Sequence, residues 1–117
     1  MGALTTHVLD TAQGIPAERV EFVLYRIDGE QRVEAARGKT DTDGRAGGPV
    51  LDDAAFTSGT YELVFDVGGY FHHQPLDTSQ PPFLDLVTIR FTVADASEHF
   101  HVPLLVSPWA YSTYRGS

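Results

Sequence analysis

Leu86-Val87-Thr88-Ile89-Arg90-Phe91-Thr92-Val93 is the stretch that decides the fold. In an extended chain, Val87, Ile89, Phe91 and Val93 point to one side and Thr88, Arg90 and Thr92 to the other, because successive side chains of a strand alternate between faces. A helix would scatter the same residues around its axis, so the pattern predicts a half-buried strand. The same period recurs on either side. In segment 61–66, Tyr61, Leu63 and Phe65 oppose Glu62, Val64 and Asp66. In segment 100–106, Phe100, Val102, Leu104 and Val106 oppose His101, Pro103 and Leu105. Segment 20–27 carries Phe22, Val23, Leu24 and Tyr25 in succession and reads as a strand covered on both faces. Further strands are predicted over 4–10, 31–38, 44–46 and 110–114, and one short helix over 68–73. Turn residues separate these runs: Asp28-Gly29, Asp43-Gly44, Gly47-Gly48-Pro49, Ser58-Gly59 and Pro81-Pro82. No long window repeats at 3.6 residues. About eight short strands of this kind predict an all-β, two-sheet antiparallel sandwich, in one domain spanning residues 1–117.

Composition narrows the function classes. A chain of 117 residues buries enough surface for one core without staples. It contains no cysteine, which removes disulfides, thiolate nucleophiles and cysteine-ligated zinc. Its 8 basic and 16 acidic residues give a formal charge of −8. That balance, with no basic stripe, argues against nucleic acid or an anionic membrane as partner. The start lacks the basic and apolar regions of a secretory leader, and a cytoplasmic location is expected.

The groups that titrate near neutral pH are five histidines: His7, His72, His73, His99 and His101. His7 and His101 sit within strand patterns, each on the face opposite the apolar row. A histidine so placed is ordinarily just solvated. His99 and His101, two apart, share one side of their strand and can hold a metal when a third ligand arrives from elsewhere. Such pairs are common by chance, and no metal is expected here. His72 and His73 fall in a loop and read as surface residues. Arg45 follows a glycine turn, where it is either a plain surface charge or a clamp for a carbonyl or anion. The tail Tyr114-Arg115-Gly116-Ser117 has the place of a frayed end. Gly-x-Ser-x-Gly, a phosphate-cradling loop and a dinucleotide fingerprint are all absent from the sequence.

Four segments, in order, resemble the 5-hydroxyisourate hydrolases of the transthyretin-like family. They are Leu4-Thr5-Thr6-His7-Val8-Leu9-Asp10-Thr11 with Gly14-Ile15-Pro16-Ala17; Thr40-Asp41-Thr42-Asp43-Gly44-Arg45; His101-Val102-Pro103-Leu104-Leu105-Val106-Ser107-Pro108; and Tyr111-Ser112-Thr113-Tyr114-Arg115-Gly116-Ser117. The closing tetrapeptide is the most specific. Phe100 stands where the family commonly has tyrosine, which predicts a missing hydroxyl beside the site.

The resemblance implies two four-stranded antiparallel sheets with a short helix, and a homotetramer built as a dimer of dimers. The sheet of the first strand and the last two would line a channel holding the sites. It implies His7, Arg45, His101 and Ser117 as catalytic residues, with Tyr114, Arg115 and Gly116 binding substrate and no cofactor or metal. The implied reaction opens the lactam ring of 5-hydroxyisourate with water, giving 2-oxo-4-hydroxy-4-carboxy-5-ureidoimidazoline on the way from urate to allantoin. That chemistry needs a base for the water, a partner for the oxyanion and a proton for the leaving nitrogen. Either imidazole can act as base, and His7 is the first choice for the water. The rivals are a carrier of a thyroid-hormone-like ligand on the same fold and a metal-dependent hydrolase using His99 and His101.

Overall fold

The computed structural model describes residues 2–117; Met1, where the expected domain begins, lies outside the described residues. The strands are β1 (Ala3–Asp10), β2 (Ile15–Pro16), β3 (Glu21–Asp28), β4 (Gln31–Lys39), β5 (Leu51–Asp52), β6 (Gly59–Asp66), β7 (Leu86–Val93), β8 (His99–Val106) and β9 (Tyr111–Ser112). A 3₁₀ turn, Asp53–Ala55, follows β5, and one helix, α1 (Val67–His72), follows β6. One sheet runs β4-β3-β6-β7; the other runs β2-β1-β8-β9, with β5 also on β1.

The sandwich is as predicted, but it is not wholly antiparallel. β1 and β8 pair in parallel along their whole length, from Ala3 opposite His99 to Asp10 opposite Val106. Only a hairpin obliges neighbouring strands to run antiparallel. β1 and β8 are joined through most of the chain, so no turn sets their relative direction.

Period-2 patterning succeeded wherever one strand face is buried. Val87, Ile89 and Val93 are buried on β7, and Phe100, Val102, Leu104 and Val106 on β8. With Leu4, Val8, Leu24, Tyr61, Leu63 and Phe65 they form one core between the sheets. Each such side chain contributes about 1.5–3 kcal/mol by leaving water. β3 is covered on one face rather than two. Phe22 and Leu24 are buried, whereas Val23 and Tyr25 are half-exposed and Arg32 from β4 lies over the Tyr25 ring. The expected strand at 44–46 reduces to a single bridge between Arg45 and His7. The outer edge of β1 is divided among three short segments: β5 at Ala3 and Leu4, Arg45 at His7, and β2 at Leu9 and Asp10. None has room to lengthen. The expected strand at 110–114 likewise shrinks to Tyr111–Ser112, and pairing with β8 resumes only at Gly116.

Buried Asp10 anchors α1 to the end of β1. Its carboxylate accepts from the Ala12 and Gln13 amides, from Gln13 Nε2 and from the Tyr70 hydroxyl at 2.8 Å. Burial first, and then the hydrogen bond and charge of Asp10, hold the Tyr70 phenol protonated well above its ordinary range. Among the described residues, no helix is long and apolar enough to cross a membrane.

Candidate active site

The alternation that buries Leu4, Thr6, Val8 and Asp10 turns Ala3, Thr5, His7 and Leu9 to the other face of β1. On β8 it turns out His99, His101, Pro103 and Leu105. Partners directly opposite in a ladder share a face. Thr5 is opposite His101, His7 opposite Pro103 and Ala3 opposite His99. His7 and His101 are therefore diagonal neighbours, with Cα atoms about 8 Å apart from a two-residue rise and one strand spacing. Two bridges extend the row on this face: Arg45 beside His7, and Gly116 beside His101.

Arg45 is held there by a closed turn. Asp41 accepts the Asp43 and Arg45 amides on its side chain, at 2.9 and 3.0 Å, and the Gly44 amide on its carbonyl. Gly44 must be glycine: its φ is +78°, and a Cβ would lie 2.4 Å from the Val8 carbonyl oxygen. That closeness lets the Val8 amide reach the Gly44 carbonyl at 2.8 Å and locks the turn to β1. His7 Nε2 donates to the Asp43 carbonyl at 2.8 Å. A carbonyl only accepts, so this nitrogen carries hydrogen and the lone pair of neutral His7 is on Nδ1.

The tail closes the other side. His101 and Gly116 exchange both backbone hydrogen bonds, at 3.2 and 2.7 Å. A Cβ on Gly116 would meet the His101 side chain at 3.0 Å, so glycine lets the tail lie against the ring. Thr113 Oγ1 donates to the Pro103 carbonyl at 2.6 Å, tying the approach to the same strand. Partial burial first, then the positive charges of Arg45, His7 and His99, push His101 below the ordinary histidine value. A neutral imidazole is what a general base requires.

Residues 4–116 match the model of the HIUase/Transthyretin family. The chain belongs to this family. It is 53% identical over 116 residues to 5-hydroxyisourate hydrolase 2 of Rhizobium meliloti (strain 1021), covering 99% of this chain and 97% of the relative. Among solved structures, an (S)-allantoin synthase superposes with a TM-score of 0.93 at 47% identity; the match covers 99% of this chain and 44% of that one. A sea bream transthyretin in complex with thyroxine superposes with a TM-score of 0.87 at 26% identity, covering 97% of this chain and 94% of that one.

On this family fold, His7, Arg45, His101 and Gly116 come together on one sheet face. Ser117 follows Gly116 and is exposed, as is Tyr114. Arg115 goes elsewhere: its guanidinium lies 4.1 Å from the centroid of the Phe100 ring and pairs with Glu98 at 3.1 Å. Phe100 itself is buried on the core face, edge-on to Phe56 at 5.9 Å. The tyrosine hydroxyl it lacks is thus not a neighbour of His101 on the site face, contrary to the expectation from sequence. His72 and His73 line a separate cavity of ≈ 350 Å³ beside α1. Among the described residues, no three His, Asp or Glu side chains are grouped to hold a metal ion.

Three residues around the site carried no clear signal in the sequence: Thr5, Asp41 and Asp43. Thr5 Oγ1 lies 2.8 Å from His101 Nδ1 and 3.0 Å from His99 Nε2. Its signal was its place two residues before His7, on the same face. The Asp41 side chain and the Asp43 carbonyl set the turn and the His7 ring; the only hint was an Asp-x-Asp-Gly turn beside a candidate arginine.

Proposed function

We propose that this chain is a metal-independent 5-hydroxyisourate hydrolase, opening the substrate lactam with water to 2-oxo-4-hydroxy-4-carboxy-5-ureidoimidazoline. The observation that carries the reading is one open sheet face holding His101, an imidazole pushed toward its neutral form, together with a permanent cation, Arg45, and a second imidazole, His7. His101 takes the proton of the attacking water. His101 is preferred to His7 for this step because His7 Nε2, the outer ring nitrogen, is occupied by the Asp43 carbonyl. Its free nitrogen is the one nearer the backbone. In His101 the nitrogen facing Thr5 is Nδ1, and the outer Nε2 is left for water. Arg45 stabilises the developing oxyanion and orients the urate-like ring. His7, oriented by the Asp43 carbonyl, protonates the leaving nitrogen. Ser117 and Tyr114, placed by the Gly116 bridge, cover the substrate. Arg115 contributes by fixing the tail over Phe100.

The open face is completed by a second copy in this proposal: four chains pack as a dimer of dimers with these faces lining a channel, and the protein works in the cytoplasm. A carrier of an apolar ligand has no use for a guanidinium beside two imidazoles, and the relatives called hydrolases match over the full chain. The test is to generate 5-hydroxyisourate from urate with urate oxidase and follow its ultraviolet absorbance. Catalytic amounts of this protein are expected to accelerate the decay. A decay unchanged from the spontaneous one would remove the reading.

A further inference from the structure

The Thr5 hydroxyl meets two ring nitrogens with one hydrogen. It lies 2.8 Å from His101 Nδ1 and 3.0 Å from His99 Nε2. A hydroxyl donates once and accepts at two lone pairs, so two arrangements pass a hydrogen-bond chain through it. In the first, His101 Nδ1–H donates to Thr5, and Thr5 donates to the bare Nε2 of His99. In the second, every direction is reversed, and the proton of neutral His101 sits on Nε2.

Only the first serves a base. It leaves the His101 Nε2 lone pair for water. It also survives the reaction, because imidazolium must carry hydrogen on Nδ1 as well and Thr5 is already arranged to accept it. The second would force the hydroxyl to rotate as His101 charges, a reorganisation that a preorganised site avoids. The groups bearing on His101 are Arg45 from the turn, His7 from β1 and His99 from its own strand. None of them is a carboxylate, and among the described residues no acidic side chain is hydrogen-bonded to the His101 ring to perform the orienting task that an aspartate performs in a serine-protease triad.

We propose that Thr5 and His99 are positioning residues for His101. His99 Nε2 draws the Thr5 hydrogen, and the Thr5 lone pair then holds His101 as its Nδ1–H tautomer, with Nε2 free. This rests on the reading of His101 as the base, and it explains why a threonine and an exposed histidine face the site. The Thr5 hydroxyl bonds no side chain except these two imidazoles among the described residues, so its removal acts through them.

The experiment is ¹⁵N NMR of the imidazoles in the labelled full chain, alongside steady-state kinetics, for wild type, Thr5→Val, Thr5→Ser and His99→Phe. Wild type is expected to show protonated Nδ1 and bare Nε2 on His101. Thr5→Val keeps the branched shape that suits β1 and is expected to release the ring to the Nε2–H form. Its kcat should fall roughly ten- to a hundredfold, the scale for losing an orienting partner, with KM within about twofold because no substrate contact is lost. Thr5→Ser should restore both tautomer and kcat, and His99→Phe should give a mixed tautomer and a smaller loss. A wild-type His101 protonated on Nε2, or a Thr5→Val variant unchanged in tautomer and kcat, would overturn the proposal. The spectra need no substrate. If the tautomer responds as expected while no variant or wild type turns over 5-hydroxyisourate, the activity reading has failed and the lock stands.

Discussion

Gly44→Ala separates the steric demand of the turn from its backbone demand. The native φ is +78°, so alanine pays the left-handed strain of about 1–2 kcal/mol. The new Cβ would also sit 2.4 Å from the Val8 carbonyl oxygen, against the 3.0 Å that is the practical limit, so the turn must retreat at least 0.6 Å from β1. The Val8 amide bond to the Gly44 carbonyl goes with it, adding about 1 kcal/mol. Arg45 and the Asp43 carbonyl that holds His7 move together. A displacement approaching 1 Å at a positioned group costs on the order of a hundredfold in rate. Gly47→Ala is the control. Its φ is +81°, but nothing lies within 4 Å of the added carbon. Both variants should lose a few degrees in Tm, at about 4 °C per kcal/mol, with Gly44→Ala lower. Only Gly44→Ala should lose about a hundredfold in kcat/KM for 5-hydroxyisourate. Equal activity in the two variants would refute the claim that contact with β1 places Arg45.

Three further outcomes are expected. His101→Ala, Arg45→Ala and His7→Ala should each lower kcat/KM by at least roughly a hundredfold, while His72→Ala and His73→Ala, at the cavity beside α1, stay near wild type in the same assay. Since His101 is pushed below the histidine value of about 6.5, the acid limb of kcat/KM should have its midpoint below that pH. The unfolded chain takes up this proton first as pH falls, so stability is full above about 6.5 and is lost from there down to the folded His101 value; melts in a pH series should show that slope, and His101→Gln should flatten it. Deleting residues 114–117 should abolish most activity with little change in melting temperature, and light scattering of the intact chain should report four subunits whose dilution lowers specific activity.

The legible part of the fold was the part governed by one-sided burial. β7 was bounded correctly because its exposed positions are Thr88, Arg90 and Thr92, and alternation of that contrast leaves no other element. β3 misled because Val23 and Tyr25 are apolar while only half-covered. Side-chain type reports what tolerates burial, not what is buried. β2 and β5 were invisible for a different reason. They are two-residue pairings at the edge of β1, made by backbone groups, and no side-chain period can form over two residues. The parallel β1–β8 ladder was hidden likewise, since strand direction belongs to connectivity rather than to pattern.

The candidate site divides along the same line. Alternation alone put His7 and His101 on the non-core face, yet it could not say whether that face was merely wet. What makes it more is a set of contacts between residues distant in sequence: Arg45 bridging His7, Gly116 bridging His101, and Thr5 reaching both His99 and His101. Each depends on a glycine that permits close approach or on a register fixed by the β1–β8 ladder. Pattern can therefore nominate a histidine, but only register tells which nitrogen is engaged, and the engaged nitrogen decides between base and acid. His7 shows this best: like His101 it lies on the non-core face, yet the Asp43 carbonyl takes its Nε2 whereas Thr5 takes Nδ1 of His101, and the proposed division into acid and base rests on that difference.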